Sequence, residues 1–362
     1  MTPVRIVDAT VDLVELPAQP VFRWRDGLPG SEPPVTGGVL RLRTDDGLIG
    51  EAHTRRGVIV ADLVNRVIRD EIVGADPLSR EYLWQRMWEL DRREEFPIYA
   101  LGLVDIALWD IAGKAAGLPV HRLAGGFREA IPAYASTVTY GSVEEYLDVV
   151  DQCLDLGYQA VKVHAWGDAR RDGDLVARLR AHVGDDLPLM YDGSAAFNLG
   201  DAVHVGRALA DAGFLWYEEP MREFNVTAHR WLAENIGVPL LVGETADGAH
   251  MNTADFIASG SATYVRTSPH LKGGFTGAIR IAHLAEAYLM NAEVHGSGLL
   301  QRQLCMAVPN TTYYESQIMG NPIIPDAAVG ADGMVRAPSA PGIGYDANVA
   351  AGRHSDTTLS PA

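Results

Sequence analysis

The chain has 362 residues, of which 47% are hydrophobic, enough to bury a large core and too many for global disorder. Its formal net charge of −17 argues against nucleic acid or an anionic membrane surface as partner, while leaving room for a small anionic substrate in a locally cationic site. Two cysteines, Cys153 and Cys305, far apart in sequence, read as buried reduced thiols of a cytoplasmic protein; no signal peptide and no membrane-spanning run is expected.

The first part reads as α+β. Residues 4–15 alternate apolar and polar, as a half-buried strand does. Runs 38–44 and 48–53 are two further strands joined at Asp45-Asp46-Gly47, a hairpin signal. The Pro/Gly-rich segment 18–37 is too irregular for an element and too long for an idle loop. Helical patterns follow at 58–73, 77–92 and 98–116, the last opened by Pro97 and stopped by Gly117.

From about residue 131, short apolar runs alternate with helical patterns such as 143–156, 199–212 and 275–289. The runs are 131–135, 160–164, 187–192, 214–218, 239–244, 262–267, 292–295 and 312–315. Eight such runs with intervening helices point to a closed parallel α/β barrel. The tail after about 340 is rich in Gly, Ala, Ser and Pro.

Ionisable residues fall at the ends of these runs. Lys162 and His164 close the second, Asp192 the third, Glu218 the fourth, Glu244 the fifth, His295 the seventh and Glu315 the eighth. Strand C-termini form the mouth of such a barrel, so these groups converge. Asp192, Glu218 and Glu244 are 26 positions apart each time, one βα unit. Three carboxylates crowded there need a counter-ion, and hard oxygen ligands suit Mg²⁺. A single acid at a strand end is normally a helix cap or a surface charge; three in register are not. The adjacent Glu219 is expected to pair with a cation. Lys162 and His164 share a face of their strand, which places a cation and a base together. His295 is a second acid/base candidate from the far side. Glu315 would serve as hydrogen-bond donor to an enolate oxygen if its pKa were raised. A proton beside a carboxylate is very weakly acidic; a divalent cation and a lysine offset the charge its removal creates, and an imidazole then suffices as base.

In these pieces the sequence resembles the enolase superfamily, mandelate racemase subgroup. The matching segments are VKVH at 161–164, MYDG at 190–193, WYEEP at 216–220, VGET at 242–245, KGG at 272–274, EVHG at 293–296 and the helix 100–126. The resemblance implies a (β/α)7β modified TIM barrel (129–330) under an N-terminal α+β capping domain (1–128), with the segment 331–362 returning to the cap. It implies Mg²⁺ on Asp192, Glu218 and Glu244, with Lys162 at the substrate carboxylate. It makes His164, His295 and Glu315 the acid/base and hydrogen-bonding groups. Members of this kind are acid-sugar dehydratases, racemases and cycloisomerases, often assembled as dimers or octamers. A small hydroxy-carboxylate is the expected substrate, dehydrated to a 2-keto-3-deoxy acid, with racemisation or cycloisomerisation through the same enolate as the alternative. Two positions depart from the pattern. His164 replaces the second lysine of a Lys-x-Lys pair, and Ser268 stands where an aspartate partner of His295 is expected. Substrate contacts are expected from Trp24, Arg25, His53 and Arg55 in cap loops and from Arg266 and His270.

Overall fold

In the computed structural model, which describes residues 4–18, 20–31 and 35–345, two sheets organise the chain. Strands β1 (Ile6–Leu16), β2 (Val35–Thr44) and β3 (Ile49–Thr54) form an antiparallel sheet, with β2 between its neighbours. The segment expected to be irregular as far as residue 37 already belongs to β2 at its end, because Val35–Gly37 pair with Val14–Leu16. Helices at Gly57–Leu63 and Ile98–Ala116 pack on this sheet, with the helix Arg80–Glu94 against the latter, which is ended by Gly117 at φ 67°, where a left-handed residue is required. The expected helix 58–73 contains a π-helical stretch, Val64–Ile68.

Eight parallel strands then curl into the barrel: β4 (Ala130–Thr137), β5 (Val161–His164), β6 (Leu189–Asp192), β7 (Tyr217–Glu218), β8 (Leu240–Val242), β9 (Tyr264–Thr267), β10 (Ala292–Val294) and β11 (Tyr314–Ile318). Each coincides with one of the apolar runs. The helices between them begin on side-chain caps where polar residues follow a strand loop, at Ser142, Asp168, Asn198 and Asn225. The backbone ladder runs unbroken from β10 through β4 to β11 but does not close between β10 and β11. Side chains bridge that joint beside a backbone bond from the Ala292 N–H to the Asn310 carbonyl: Glu293 accepts from the Thr312 backbone N–H and hydroxyl, and Ser297 Oγ donates to the Glu315 carbonyl. A short strand missed in the sequence, β12 (Met334–Arg336), pairs antiparallel with β4.

Period-two alternation sorts the barrel interior into layers. Tyr134, Ala160, Met190, Trp216 and Leu241 form an apolar plug. Two residues further along the same strands stand Ser136, Lys162, Asp192 and Glu218. Their outward neighbours Val161, Val163 and Tyr191 join the main core under the helices. The plug thus supports a buried polar floor.

The cap is fixed to the barrel by close backbone approach. Gly102 lies against Gly274, and Asp105 accepts hydrogen bonds from the Thr276 backbone N–H (2.9 Å) and hydroxyl (2.6 Å). Trp84 Nε1 donates to the Gly273 carbonyl at 2.7 Å. The KGG segment is therefore a docking point for the cap helix. Further along, the Val120 N–H donates to the Gly342 carbonyl and the Ile343 N–H to Asp110. Among the described residues, no helix is long and apolar enough to cross a membrane.

Candidate active site

The polar floor is a network of buried charges at the strand C-termini. Lys162 Nζ lies 2.8 Å from Glu218 Oε2, 2.9 Å from Glu315 Oε1 and 3.3 Å from Asp192 Oδ2. Glu218 is also gripped by the Arg266 guanidinium, whose Nη2 stands 2.8 Å from Oε2. Burial alone would raise the Glu315 carboxyl, but Lys162, Arg266 and His295 outweigh it and hold it well below the ordinary range. Glu315 is thus held as an ion-paired carboxylate here, and the raised pKa on which its role as hydrogen-bond donor depends is not found in this arrangement. Asp192 is likewise held low against its burial by His164 and Lys162, and its Oδ1 accepts from the Ser194 N–H at 2.8 Å.

Above this floor is a small chamber of about 50 Å³, lined by residues that include His164, Asp192, Glu219, Glu244, His295 and Glu315. Trp24 forms part of its wall, its ring centroid 4.5 Å from that of His164. The loop carrying Trp24 is pinned to the barrel: the Thr139 N–H donates to the Arg23 carbonyl and Arg25 Nε to the Ser194 carbonyl at 2.9 Å. Arg25 therefore fastens the loop and does not line the chamber.

The two histidines are held differently. His164 Nδ1 lies 2.6 Å from the Thr137 carbonyl, an acceptor only, so this nitrogen carries the proton. Its Nε2 lies at the chamber, 3.1 Å from Asp192 Oδ2, which is also an acceptor only, so in this arrangement Nε2 donates to Asp192. His295 presents Nδ1 to two carboxylates, 3.2 Å from Glu315 Oε2 and 3.3 Å from Glu244 Oε2. Burial would lower this imidazole, but Glu244 and Glu315 hold it above its ordinary value. Ser268 is 2% exposed with no hydrogen-bond partner for its Oγ, so no aspartate or substitute for one stands at that position.

Glu219 corrects an expectation. It has no cation within ion-pair reach among the described residues, and its Oε1 lacks any partner. Its backbone sits at φ 39°, in the left-handed region, which lets it follow Glu218 and still enter the chamber. Burial, then Glu223, Glu244 and Asp192, raise its carboxyl well above the ordinary range. Glu223, not foreseen, braces the loop bearing Glu244: its carboxylate accepts from the N–H groups of Gly243 (2.6 Å) and Thr245 (3.0 Å).

A wider cleft of about 220 Å³ opens from His295 towards the cap. His53, Arg55, Arg56 and Tyr99 line it from the cap, with Ser268, His270 and Gln301 opposite. His53 belongs to β3 rather than to a turn and stacks on Tyr345 at 4.1 Å. Burial pushes both His53 and His270 down to about 4, so both are neutral imidazoles near pH 7. Gln301 Nε2, a donor, lies 2.8 Å from His270 Nδ1, leaving the His270 proton on Nε2. Arg266, expected at the substrate, reaches neither cleft; it is buried in the floor.

The donor set suits a hard divalent cation. Ligating atoms of Glu218, Glu244 and His295 lie within 4.8 Å of one another. Burial and the nearby Glu218 and Asp192 carboxylates raise the Glu244 pKa against the opposing His295 and Lys162. Asp192, expected as a third ligand, stands outside that trio, turned onto Lys162 and His164.

A curled eight-stranded parallel barrel under a three-stranded cap, with carboxylates at consecutive strand ends, defines an enolase-type enzyme. Residues 145–351 match the family Enolase C-terminal domain-like, and residues 35–125 the Mandelate racemase / muconate lactonizing enzyme N-terminal domain. The chain belongs to this family, whose chemistry proceeds through an enolate. It is 30% identical to a 3,6-anhydro-alpha-L-galactonate cycloisomerase of Streptomyces coelicolor, covering 84% of this chain and 87% of that one. Its structure is similar to a D-glucarate dehydratase of Agrobacterium tumefaciens complexed with magnesium (TM-score 0.87, 29% identity, 96% and 98% covered). It is similar also to a racemase of Streptomyces coelicolor with bound magnesium (TM-score 0.80, 28% identity, 94% and 96% covered).

Proposed function

We propose that this enzyme removes the proton beside the carboxylate of a hydroxy acid and expels the 3-hydroxyl as water, giving a 2-keto-3-deoxy acid. The observation that carries the reading is the pair of unlike histidines facing one chamber. His164, with Nδ1–H committed to Thr137, would offer Nε2 as base once Asp192, now 3.1 Å from it, turns to a cation. His295, held cationic between Glu244 and Glu315, is the acid that protonates the leaving hydroxyl. Their strands, β5 and β10, stand three steps apart around the ring, which suits attack on opposite faces of a bound acid.

Glu218 and Glu244, with Asp192 turned from Lys162 and His164 towards the ion, are the residues that would hold Mg²⁺, and the crowding of carboxylates at one end of the barrel supports that assignment. The ion would supply Lewis-acid stabilisation of the substrate carboxylate as charge builds on it. Lys162 adds fixed positive charge beneath the same point, and Trp24 shields His164 from water. The cleft lined by His53, Arg55 and His270 would take the rest of the substrate. A hydroxylated tail fits its mixture of guanidinium, neutral imidazole and amide groups.

The division into cap (1–128), barrel (129–330) and returning segment (331–362) is part of the proposal. It is supported by the separate β1–β3 sheet and by the bonds from Gly342 and Ile343 to the cap side; residues 346–362 lie outside the described region.

A cycloisomerase reading is favoured by the 30% identity to an enzyme of that class. Expulsion of a ring oxygen in place of a hydroxyl would use the same two histidines. Mass spectrometry on a panel of acid sugars and anhydro acids with Mg²⁺ separates the two. Loss of one water supports dehydration, and an isobaric product supports ring opening. No turnover of any member would overturn both.

A further inference from the structure

Arg266 has no role in the reaction as read above, yet it is among the largest side chains fully buried in the protein. Its inward position on β9 brings it against the floor of the site. The guanidinium grips Glu218 along one edge, Nε on Oε1 and Nη2 on Oε2. Nη2 also donates to the Tyr134 hydroxyl at 2.9 Å, Nη1 donates to the Val294 carbonyl at 3.3 Å, and Glu315 Oε2 stands 3.6 Å away. A planar fork of this kind matches a carboxylate in a way no ammonium does. Asp192, Glu218, Glu244 and Glu315 crowd one end of the barrel, and burying such charge without compensation is costly.

We propose that Arg266 is a built-in counter-cation of the carboxylate cluster, holding Glu218 in place before a divalent cation arrives and thereby weakening the site's hold on that cation. Guanidinium and metal draw on the same Glu218 carboxylate, so each lowers the other's gain. The inference rests on the metal reading proposed above.

The test is calorimetric titration of Mg²⁺ into the full chain and its Arg266→Gln and Arg266→Lys variants, with melting temperatures in chelator and in Mg²⁺. The glutamine variant should bind Mg²⁺ at least about tenfold more tightly than the wild type. Its melting temperature should fall far more in chelator than in Mg²⁺. The lysine variant, which keeps the charge and loses the fork, should bind within about threefold of the wild type. Unchanged or weaker binding in Arg266→Gln overturns the inference, since a purely structural arginine would lower both melting temperatures alike. Should Arg266→Gln fail to fold, Arg266→Lys decides: an affinity loss of about tenfold or more means the fork acts by geometry, and the inference falls. Absence of Mg²⁺ binding in the wild type overturns the metal reading and this inference with it; binding there with the wrong variant response overturns this inference alone.

Discussion

His164 and His295 differ in what fixes their protons, and that difference separates their mutants. His164→Asn should abolish exchange of the α-proton with solvent. His295→Asn should retain exchange while slowing loss of the leaving group by about 10²–10⁴-fold, read by NMR in D₂O beside product formation. The reverse pattern would exchange their roles. Glu244→Gln should lose Mg²⁺ binding in a calorimetric titration; retained affinity would remove Glu244 from the ligand set. Asp192, Glu218 and the histidines were legible in the sequence because strand ends in a parallel barrel share one mouth. Glu219 was not, because strand alternation would turn it outward and only its left-handed backbone brings it in. The position of Arg266 was hidden because its partner Glu218 lies 48 residues away and its inward orientation depends on where β9 begins.

Between elements, the decisive contact is that of the cap helix Ile98–Ala116 with the KGG segment. A Cβ on Gly102 would lie 2.7 Å from the Gly274 backbone nitrogen, so Gly102→Ala should destabilise the protein by about 1–3 kcal/mol, seen as a lower melting temperature. An unchanged value would mean that the interface yields. Asp105 in the same contact is pushed by burial up to about 7, against the opposing hydrogen bonds from Thr276. At pH below its ordinary value near 3.8 both folded and unfolded chains carry the proton. From there to about 7 the unfolded chain releases it and the folded chain keeps it, so this residue lowers stability progressively as pH rises. Asp105→Asn should flatten the corresponding fall in melting temperature; an identical pH profile would contradict the assignment. The strands themselves were readable as apolar runs. The start of β2 and all of β12 were not, since proline and glycine mask the first and pairing with distant β4 creates the second.

At the scale of the whole molecule, the strand ladder stays open between β10 and β11, and side chains close the joint beside a backbone bond from the Ala292 N–H to the Asn310 carbonyl. Glu293 holds Thr312 through both backbone and hydroxyl, so Glu293→Ala should speed amide exchange across residues 311–318 while leaving β5 and β6 protected. Unaltered exchange there would show that packing alone closes the joint. This joint lies between the strands that deliver His295 and Glu315. The pattern of eight runs announced a barrel but gave no sign of the open ladder, because side-chain bridging leaves no periodic mark. The central claim, an enolate made beside a carboxylate and resolved by elimination, is met most directly by turnover of an acid-sugar panel in D₂O with Mg²⁺, followed by NMR. The account predicts a 2-keto-3-deoxy product carrying solvent deuterium at C3. A panel with no product and no exchange at C2 would contradict it.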